Sequence, residues 1–531
     1  MVNYVSTTLA GTQPQAWHNV TNWNVVAGTA TATSIKLDNA DSTFTLLEGA
    51  GFVLSATNVP TAGTVTGLSR VDASGNVIEQ VTGLNLNLPQ AWALPNLFPD
   101  RLLETVFAGD DAMTGSAGTD RFYGGAGNDT MTGLGGVNLY VGGIAGAGDD
   151  TFLGAATADG GAFDIVSYAG ATTGIVATIR SSGATAVAAN AANTSIGTDT
   201  LVNIDAFTGS SLNDTINIAS TYTGKFGGFF QVEGGDGDDT ITGNGKTAIV
   251  FFSADAGVLV DLGAGLSRSL DGTVVDSAHV GQDTLSGINQ AIGTDFVDDL
   301  RGSSASFLET FEGGRGADSI DGRGGIDAAT YARSAAGIVV AMSQSVAGSG
   351  TVNDGFGATD TLVGIERIDG SAFADRFVMG KGKDIVIGGA GDDRIEGHAA
   401  NDALYGGDGN DLIIGGLGGD ILSGGAGRDV FDFNSKLESQ RALGNRDFIL
   451  DFQHLVDDID LSTIDARSTQ AGNQAFTFIG NKAFTGKAGE LNYAKSSGHT
   501  FIAGDINGDR VADFLIELDK LINLSKADFI L

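Results

Sequence analysis

Seven aspartates, Asp375, Asp384, Asp393, Asp402, Asp411, Asp420 and Asp429, stand nine residues apart without a break. Two residues after each comes a bulky apolar side chain: Phe377, Val386, Ile395, Leu404, Ile413, Leu422 and Phe431. A carboxylate returning on a fixed period offers hard oxygen at regular intervals along the surface the chain winds, which suits binding of a hard cation better than bond cleavage. The same phase holds at Asp111, Asp120, Asp129 and Asn138, with Met113, Phe122, Met131 and Tyr140 as apolar partners. Single copies surround Asp150, Asp239 and Asp318, Asp327 follows nine residues after the last, and Asp214 joins the candidate ligands.

The elements that position these carboxylates are legible in the intervening residues, GGAGDDRIE (388–396), GGDGNDLII (406–414), GGLGGDILS (415–423) and GGAGRDVFD (424–432). Glycines permit a tight turn with positive φ and bare carbonyls, after which the apolar residue points inward from a very short strand. Successive copies then wind a helix of strands. Calcium takes six to eight oxygens, and adjacent turns supply them as carbonyls plus the recurring carboxylate, so each site exists only between stacked turns. The pattern G-G-x-G-x-D-x-U-x resembles the repeats-in-toxin (RTX) repeat, and the resemblance implies a parallel β-roll that binds several calcium ions at its turns. Asn138 in GLGGVNLYV and the glycine-poor GHAANDALY (397–405) depart from the pattern, and those turns are expected to bind weakly or to serve as structural rungs.

A longer repeat separates the clusters. Gly174-Ile175-Val176, Gly257-Val258-Leu259 and Gly337-Ile338-Val339 are spaced 83 and 80 residues apart, and Asp-Thr-Leu triplets at Asp199, Asp283 and Asp360 are spaced 84 and 77. A catalytic domain is seldom triplicated in this way, so these segments are expected to be solenoid rungs with laterally projecting loops.

Composition narrows the function. Asp plus Glu is 64 against 28 Lys plus Arg, a net charge of −36 that excludes nucleic acid and anionic membranes as partners. Apolar residues at 42% argue against disorder, and 82 glycines with only 5 prolines argue against collagen or a proline-rich linker. Cysteine is absent, which removes disulfides, Cys-ligated zinc and thiol catalysis. The opening MVNYVSTTLA has no basic, apolar signal pattern, and no run is long and apolar enough for a membrane span.

Residues 1–105 alternate apolar and polar residues in β-prone runs (SIKLD, STFTLLE, TVTGLSRV, GNVIEQVTGL) and predict a small N-terminal β domain, with Trp17, Trp23 and Trp92 expected to pack in a core or interface. Residues 433–531, ending in Asp528-Phe529-Ile530-Leu531, resemble the C-terminal domain of serralysin-type metalloproteases. That resemblance implies a β-rich secretion domain with an uncleaved address read by a type I apparatus. Within it Asp505, Asn507, Asp509 and Asp513 stand in D-x-N-x-D-x-x-x-D order, either an EF-hand-like calcium loop or an Asx-rich turn, with Arg510 where the EF-hand has glycine and Ile516 where it has glutamate.

No catalytic motif accompanies these features. His18, His279, His398, His454 and His499 are isolated, no H-E-x-x-H is present, and no serine sits in G-x-S-x-G. The chain is therefore read as all-β: residues 1–105 an N-terminal β domain, 106–432 an RTX β-solenoid with three internal modules, and 433–531 a secretion domain. The expected function is a non-catalytic, secreted calcium-binding protein of the cell surface or extracellular matrix, a homo-oligomer or lattice subunit. A secreted hydrolase or polysaccharide-modifying enzyme, or a module gripping cell-surface glycan, are the alternatives.

Overall fold

The computed structural model describes residues 110–531 except 116–117, 143–147, 157–161, 181–183, 189–195 and 271–279, and before residue 110 only the strands. The chain is all-β, and its helices among the described residues are short 3-10 turns. It divides into two compact units, residues 1–254 with 265–289 and residues 255–264 with 290–531.

The first unit begins with an antiparallel meander, Ser34–Asp38, Phe44–Leu54, Pro60–Val71 and Val77–Asn87, where the alternating runs of the sequence predict strands. Trp17, Trp23 and Trp92 lie outside the described residues. Strand Asn3–Ser6 pairs antiparallel with the last strand of the meander and parallel with Ala112–Thr114, the first rung of the repeats. Two parallel ladders follow. Ala112–Thr114, Thr130–Thr132, Thr151–Leu153 and Thr198–Val202 form one. Asp120–Tyr123, Val137–Val141, Phe163–Ser167, Ala206–Thr208 and Phe230–Glu233 form the other. Their inward side chains, Met113, Met131, Phe152 and Leu201 on one ladder and Phe122, Tyr140, Val166, Phe207 and Val232 on the other, are at most 3% exposed. This core is one side chain deep on each face, so its stability grows rung by rung.

The second unit repeats the arrangement most regularly. Ile385–Ala390 pairs in parallel with Ala403–Asp408, and that with Ile421–Ala426, so two nonapeptides make each 18-residue turn. Ile368, Val386, Leu404, Leu422, Ile449 and Leu518 stack on one face in register. Phe377, Ile395, Ile413, Phe431, Ile459 and Phe529 stack on the other. The C-terminal residues continue these faces, because Phe514–Leu518 pairs with Phe448–Ile449 and Phe529–Ile530 pairs with Asp458–Asp460.

Within the three longer repeats further strands join the sheet, and residues 181–183, 189–195 and 271–279 of the expected projecting loops lie outside the described residues. Gly350–Asn353 pairs antiparallel with both Val339–Met342 and Thr359–Val363, and Ala184–Ala188 pairs antiparallel with both Ile175–Ile179 and Thr198–Val202. In the second copy Leu266–Ser269 pairs antiparallel with Gln282–Ile292. A strand with a neighbour on each side satisfies all its N–H and C=O groups, which a free loop of the same length cannot do without water.

Turn geometry explains why the glycine-poor repeat survives. In 406–411 the turn uses Gly407 at φ +119° and Gly409 at φ +144°, and a Cβ at Gly407 would lie 2.0 Å from the Gly389 carbonyl oxygen. The corresponding positions in 397–402 are His398 at φ 71° and Ala400 at φ 95°, so the same turn is kept by side-chain-bearing residues in the left-handed region. Relieving about 1–2 kcal/mol of strain against about 0.5–1 kcal/mol of added backbone entropy, Ala400→Gly is expected to raise stability slightly, read as a higher melting temperature of the calcium-saturated protein.

Candidate calcium sites

The recurring aspartates form vertical ladders in which each main-chain N–H donates to the carboxylate one turn further on. Asp375 N–H donates to Asp393 Oδ1 at 2.7 Å, Asp393 to Asp411 at 2.8 Å, and Asp411 to Asp429 at 3.0 Å. On the opposite edge Asp384 donates to Asp402 and Asp402 to Asp420, each at 2.9 Å. In the first unit Asp111 donates to Asp129 and Asp129 to Asp150, both at 2.8 Å. Asp214 donates to Asp239 at 2.7 Å, Asp120 lies in register with Asn138, and all these carboxylates are buried.

Several ladder members break the nine-residue period and escape a spacing search. Asp150, Asp239 and Asp318 donate to Asp199, Asp283 and Asp360, which stand 49, 44 and 42 residues later. Asp420 donates to Asp447 and Asp429 to Asp457. Each still has the aspartate followed two residues later by an apolar side chain, as in Asp199/Leu201, Asp360/Leu362 and Asp447/Ile449, and that pair is the signal that finds them. Asp164, Asp205 and Asp298 belong here too, and glutamates take the place on one edge, where Asp327 N–H donates to Glu366 Oε2 at 3.1 Å. An exposed outer ladder runs alongside through the preceding residue, with Asn410 N–H donating to Asp392 and Arg428 N–H to Asn410.

The second carboxylate oxygen separates two classes. Oδ2 of Asp129, Asp239, Asp318, Asp393, Asp402, Asp411, Asp420, Asp429 and Asp447 is buried with no hydrogen-bond partner, and both oxygens of Asp327 are. Asp214 and Asp375, by contrast, are closed by protein donors. Ser210 N–H and hydroxyl and Ile175 N–H reach Asp214; Ser371 N–H and hydroxyl and Ile338 N–H reach Asp375. Asp298, with Thr294 and Val258, repeats this closure. At the far ends Tyr168 hydroxyl donates to Asp199 at 2.5 Å and Ser267 hydroxyl to Asp283 at 2.7 Å.

Burial is the main cause of raised carboxyl pKa values along the ladders. It pushes Asp393 and Asp327 up to about 7, Asp129, Asp318 and Asp402 to about 8, and Asp239 to about 9, with neighbouring aspartates raising them further. A buried oxygen without a partner is costly unless a cation reaches it.

A family model of the RTX calcium-binding nonapeptide repeat, in four copies, matches residues 106–140, 231–245, 308–328, 360–395, 380–413 and 405–435. The chain carries RTX calcium-binding repeats. Among solved structures, the AlgE6R3 subunit of the Azotobacter vinelandii mannuronan C5-epimerase is 24% identical over 30% of this chain and 78% of that one, at a TM-score of 0.18. The AlgE6R2 subunit of the same enzyme is 27% identical over 31% and 91%, at 0.20. TM-scores this low carry no weight for the fold. No curated protein matches the chain.

The RTX turns fit calcium by their own geometry. A Cβ on Gly388 would meet both Asp393 Oδ2 and the Gly406 carbonyl oxygen at 2.3 Å, and one on Gly406 would meet Asp411 Oδ2 at 2.1 Å and the Gly424 carbonyl oxygen at 2.7 Å. Carboxylate and carbonyl oxygens from successive turns thus converge beside a bare glycine. Among the described residues no three His, Asp or Glu side chains cluster as a metal site, so calcium here would draw on carbonyls as well as on Asp393, Asp402, Asp411, Asp420 and Asp429. Asp411→Asn is expected to raise the calcium concentration for half-folding several-fold, and Asp375→Asn to change it less, both read by circular dichroism during calcium titration.

The C-terminal loop is arranged as an Asx-rich turn. Asp505 accepts from Gly508 and Arg510 N–H, Asn507 from Asp509, Asp509 from Val511, and Asp513 from Ile506. His454 pairs with Asp528 at 2.7 Å, and His499 lies beside Glu517 and Asp519. His18 and His279 lie outside the described residues. No helix of the described residues is long and apolar enough to cross a membrane.

Proposed function

We propose that this is a secreted, non-catalytic structural protein of the cell surface or extracellular matrix, folded and assembled by calcium. The observation that carries the reading is the set of buried ladder aspartates, Asp393, Asp402, Asp411, Asp420 and Asp429 among them, whose Oδ2 has no hydrogen-bond partner in the protein. Carboxylates committed to a repeating scaffold of this kind serve shape rather than turnover.

Export through a type I apparatus is part of the proposal, with residues 433–531 as the address. Asp528 is fully buried and Phe529–Ile530 is a strand of the sheet, so a transporter would read this end only before calcium folds it. Assembly is supported by a repeated surface feature. Leu212, Phe296 and Phe373 occupy the same position after the Gly-Ser or Gly-Thr turn of each long repeat, and are 44%, 43% and 46% exposed. One apolar side chain per repeat, held on a rigid turn, suits contact with a second copy.

Adding calcium to the purified chain at near-physiological ionic strength tests the proposal, followed by sedimentation, light scattering and negative-stain imaging. Ordered particles that dissolve in chelator are expected, and Phe296→Ser with Phe373→Ser should weaken them. A protein that stays monomeric at high concentration with calcium bound would sink the assembly reading.

A further inference from the structure

One rung of the first unit is closed by nitrogen. Lys225 Nζ lies 2.5 Å from Asp164 Oδ2 and 2.6 Å from Asp205 Oδ2, and its side chain is only 2% exposed. Asp164 and Asp205 are ladder members in every other respect. Asp164 N–H donates to Asp205 Oδ2 at 2.9 Å, and both sit two residues before inward apolar side chains, Val166 and Phe207. Here, however, Asp164 Oδ2 has two partners, the ammonium and the Ala155 N–H at 2.9 Å, and Asp205 Oδ2 has the ammonium and the Asp164 N–H, while Asp205 Oδ1 is buried without a hydrogen-bond partner.

The rung before it departs in the same sense. Asn138 stands where its neighbours have aspartate, and its Nδ2 donates to Asp164 Oδ1 at 2.8 Å. An amide and an ammonium therefore face Asp164 from two sides. An amide in place of one carboxylate removes one negative charge and the lysine adds one positive charge, a net change of +2 in a stretch that otherwise needs a divalent cation to close.

The lysine is delivered by a built loop. Between strands Thr215–Ile218 and Phe230–Glu233 the chain runs through 219–229, anchored on both sides of Lys225. Tyr222 is buried and its hydroxyl donates to the Ile204 carbonyl at 2.8 Å, while the Phe226 ring packs 5.9 Å from that of Phe163. In the second and third long repeats the position of Asp205 is held by Asn289 and Glu366.

We propose that Lys225 is an internal cation that takes the place of calcium between Asp164 and Asp205, so that this rung closes without metal while its neighbours require it. A tethered ammonium has the advantage of effective concentration, and it is buried with two carboxylates rather than one, which offsets its desolvation. The inference rests on reading the ladders as calcium sites, and the test separates the two.

Crystals of the wild-type chain grown with calcium should show anomalous density beside Asp393 and Asp411 and none between Asp164 and Asp205. An ion between Asp164 and Asp205 with Lys225 displaced would overturn the proposal while leaving the calcium reading intact. No ion at any ladder position would overturn the calcium reading, and the proposal with it. In solution, Lys225→Met should bind one more calcium per chain than wild type at saturation, measured by equilibrium dialysis and atomic emission. Lys225→Arg should keep the wild-type number. An unchanged or lower count in folded Lys225→Met would count against the proposal, and if that variant fails to fold, the wild-type density still decides.

Discussion

In excess chelator near pH 8 the RTX segment 360–435 is expected to lose most of its β-sheet signal, and the whole chain to expand. The reason lies in the cost of stacking ionised aspartates. Burial raises the folded carboxyl pKa of Asp393 from 3.8 to about 7 and of Asp402 to about 8. A tenfold change in a carboxyl's proton affinity corresponds to about 1.4 kcal/mol of preference for the neutral form, so each such residue opposes folding by several kcal/mol once ionised. A domain is stable by only about 5–15 kcal/mol. Two or three uncompensated ladder aspartates are therefore enough to unfold the array, and among its described residues Oδ2 of Asp393, Asp402, Asp411, Asp420 and Asp429 is buried without a hydrogen-bond partner. Calcium bound only between stacked turns reverses the balance, since its binding free energy becomes folding free energy. Circular dichroism and sedimentation velocity, with chelator and then with millimolar calcium, give the measurement. Magnesium should restore little, because it demands six close oxygens in octahedral geometry and gives up water reluctantly. An unchanged signal and sedimentation coefficient in chelator would refute the ligand role of these aspartates.

Much of this architecture is written in one line of residues, and the part that is not has a physical cause. The pairing of an aspartate with an apolar residue two positions later predicts the buried columns of Phe377, Ile395, Ile413 and Phe431, because residues two apart along a strand face the same way and the aspartate and its apolar partner both turn inward. Period alone misses Asp199, Asp283 and Asp360, since a strand inserted into the sheet separates each from its predecessor while leaving the ladder bond intact. Spacing also cannot tell Asp214 and Asp375 from Asp411. The difference is the serine four residues earlier, Ser210 or Ser371, whose hydroxyl and N–H reach back to the carboxylate. Lys225 is the least legible, because a lysine in a loop says nothing of its depth until the fold brings Asp164 and Asp205 to it.

Acidification is expected to rebuild the calcium-free protein, the reverse of ordinary acid denaturation. An unfolded aspartate ionises at about 3.9, whereas burial holds Asp129 and Asp318 protonated up to about 8, Asp239 to about 9, and Asp411 and Asp420 to about 6. Below pH 4 both states are protonated and these groups impose no penalty. As pH rises above 4 the unfolded chain loses protons that the folded chain retains, so stability falls by about 1.4 kcal/mol per pH unit for each group until its folded pKa is passed. The loss is spread from pH 4 to 9 and is steepest below 6, where all five of these groups contribute. In chelator, β-sheet signal should therefore be small at pH 8 and increase towards pH 4.5. With calcium the slope changes sign: protons compete with the metal for the same oxygens, so apparent calcium affinity should weaken as pH falls through 6. Titrating circular dichroism against pH at zero and at saturating calcium would show two curves converging at acid pH. Curves that run parallel, or a chelated protein that loses structure on acidification, would mean that the ladder carboxylates are not what couples this fold to its cation.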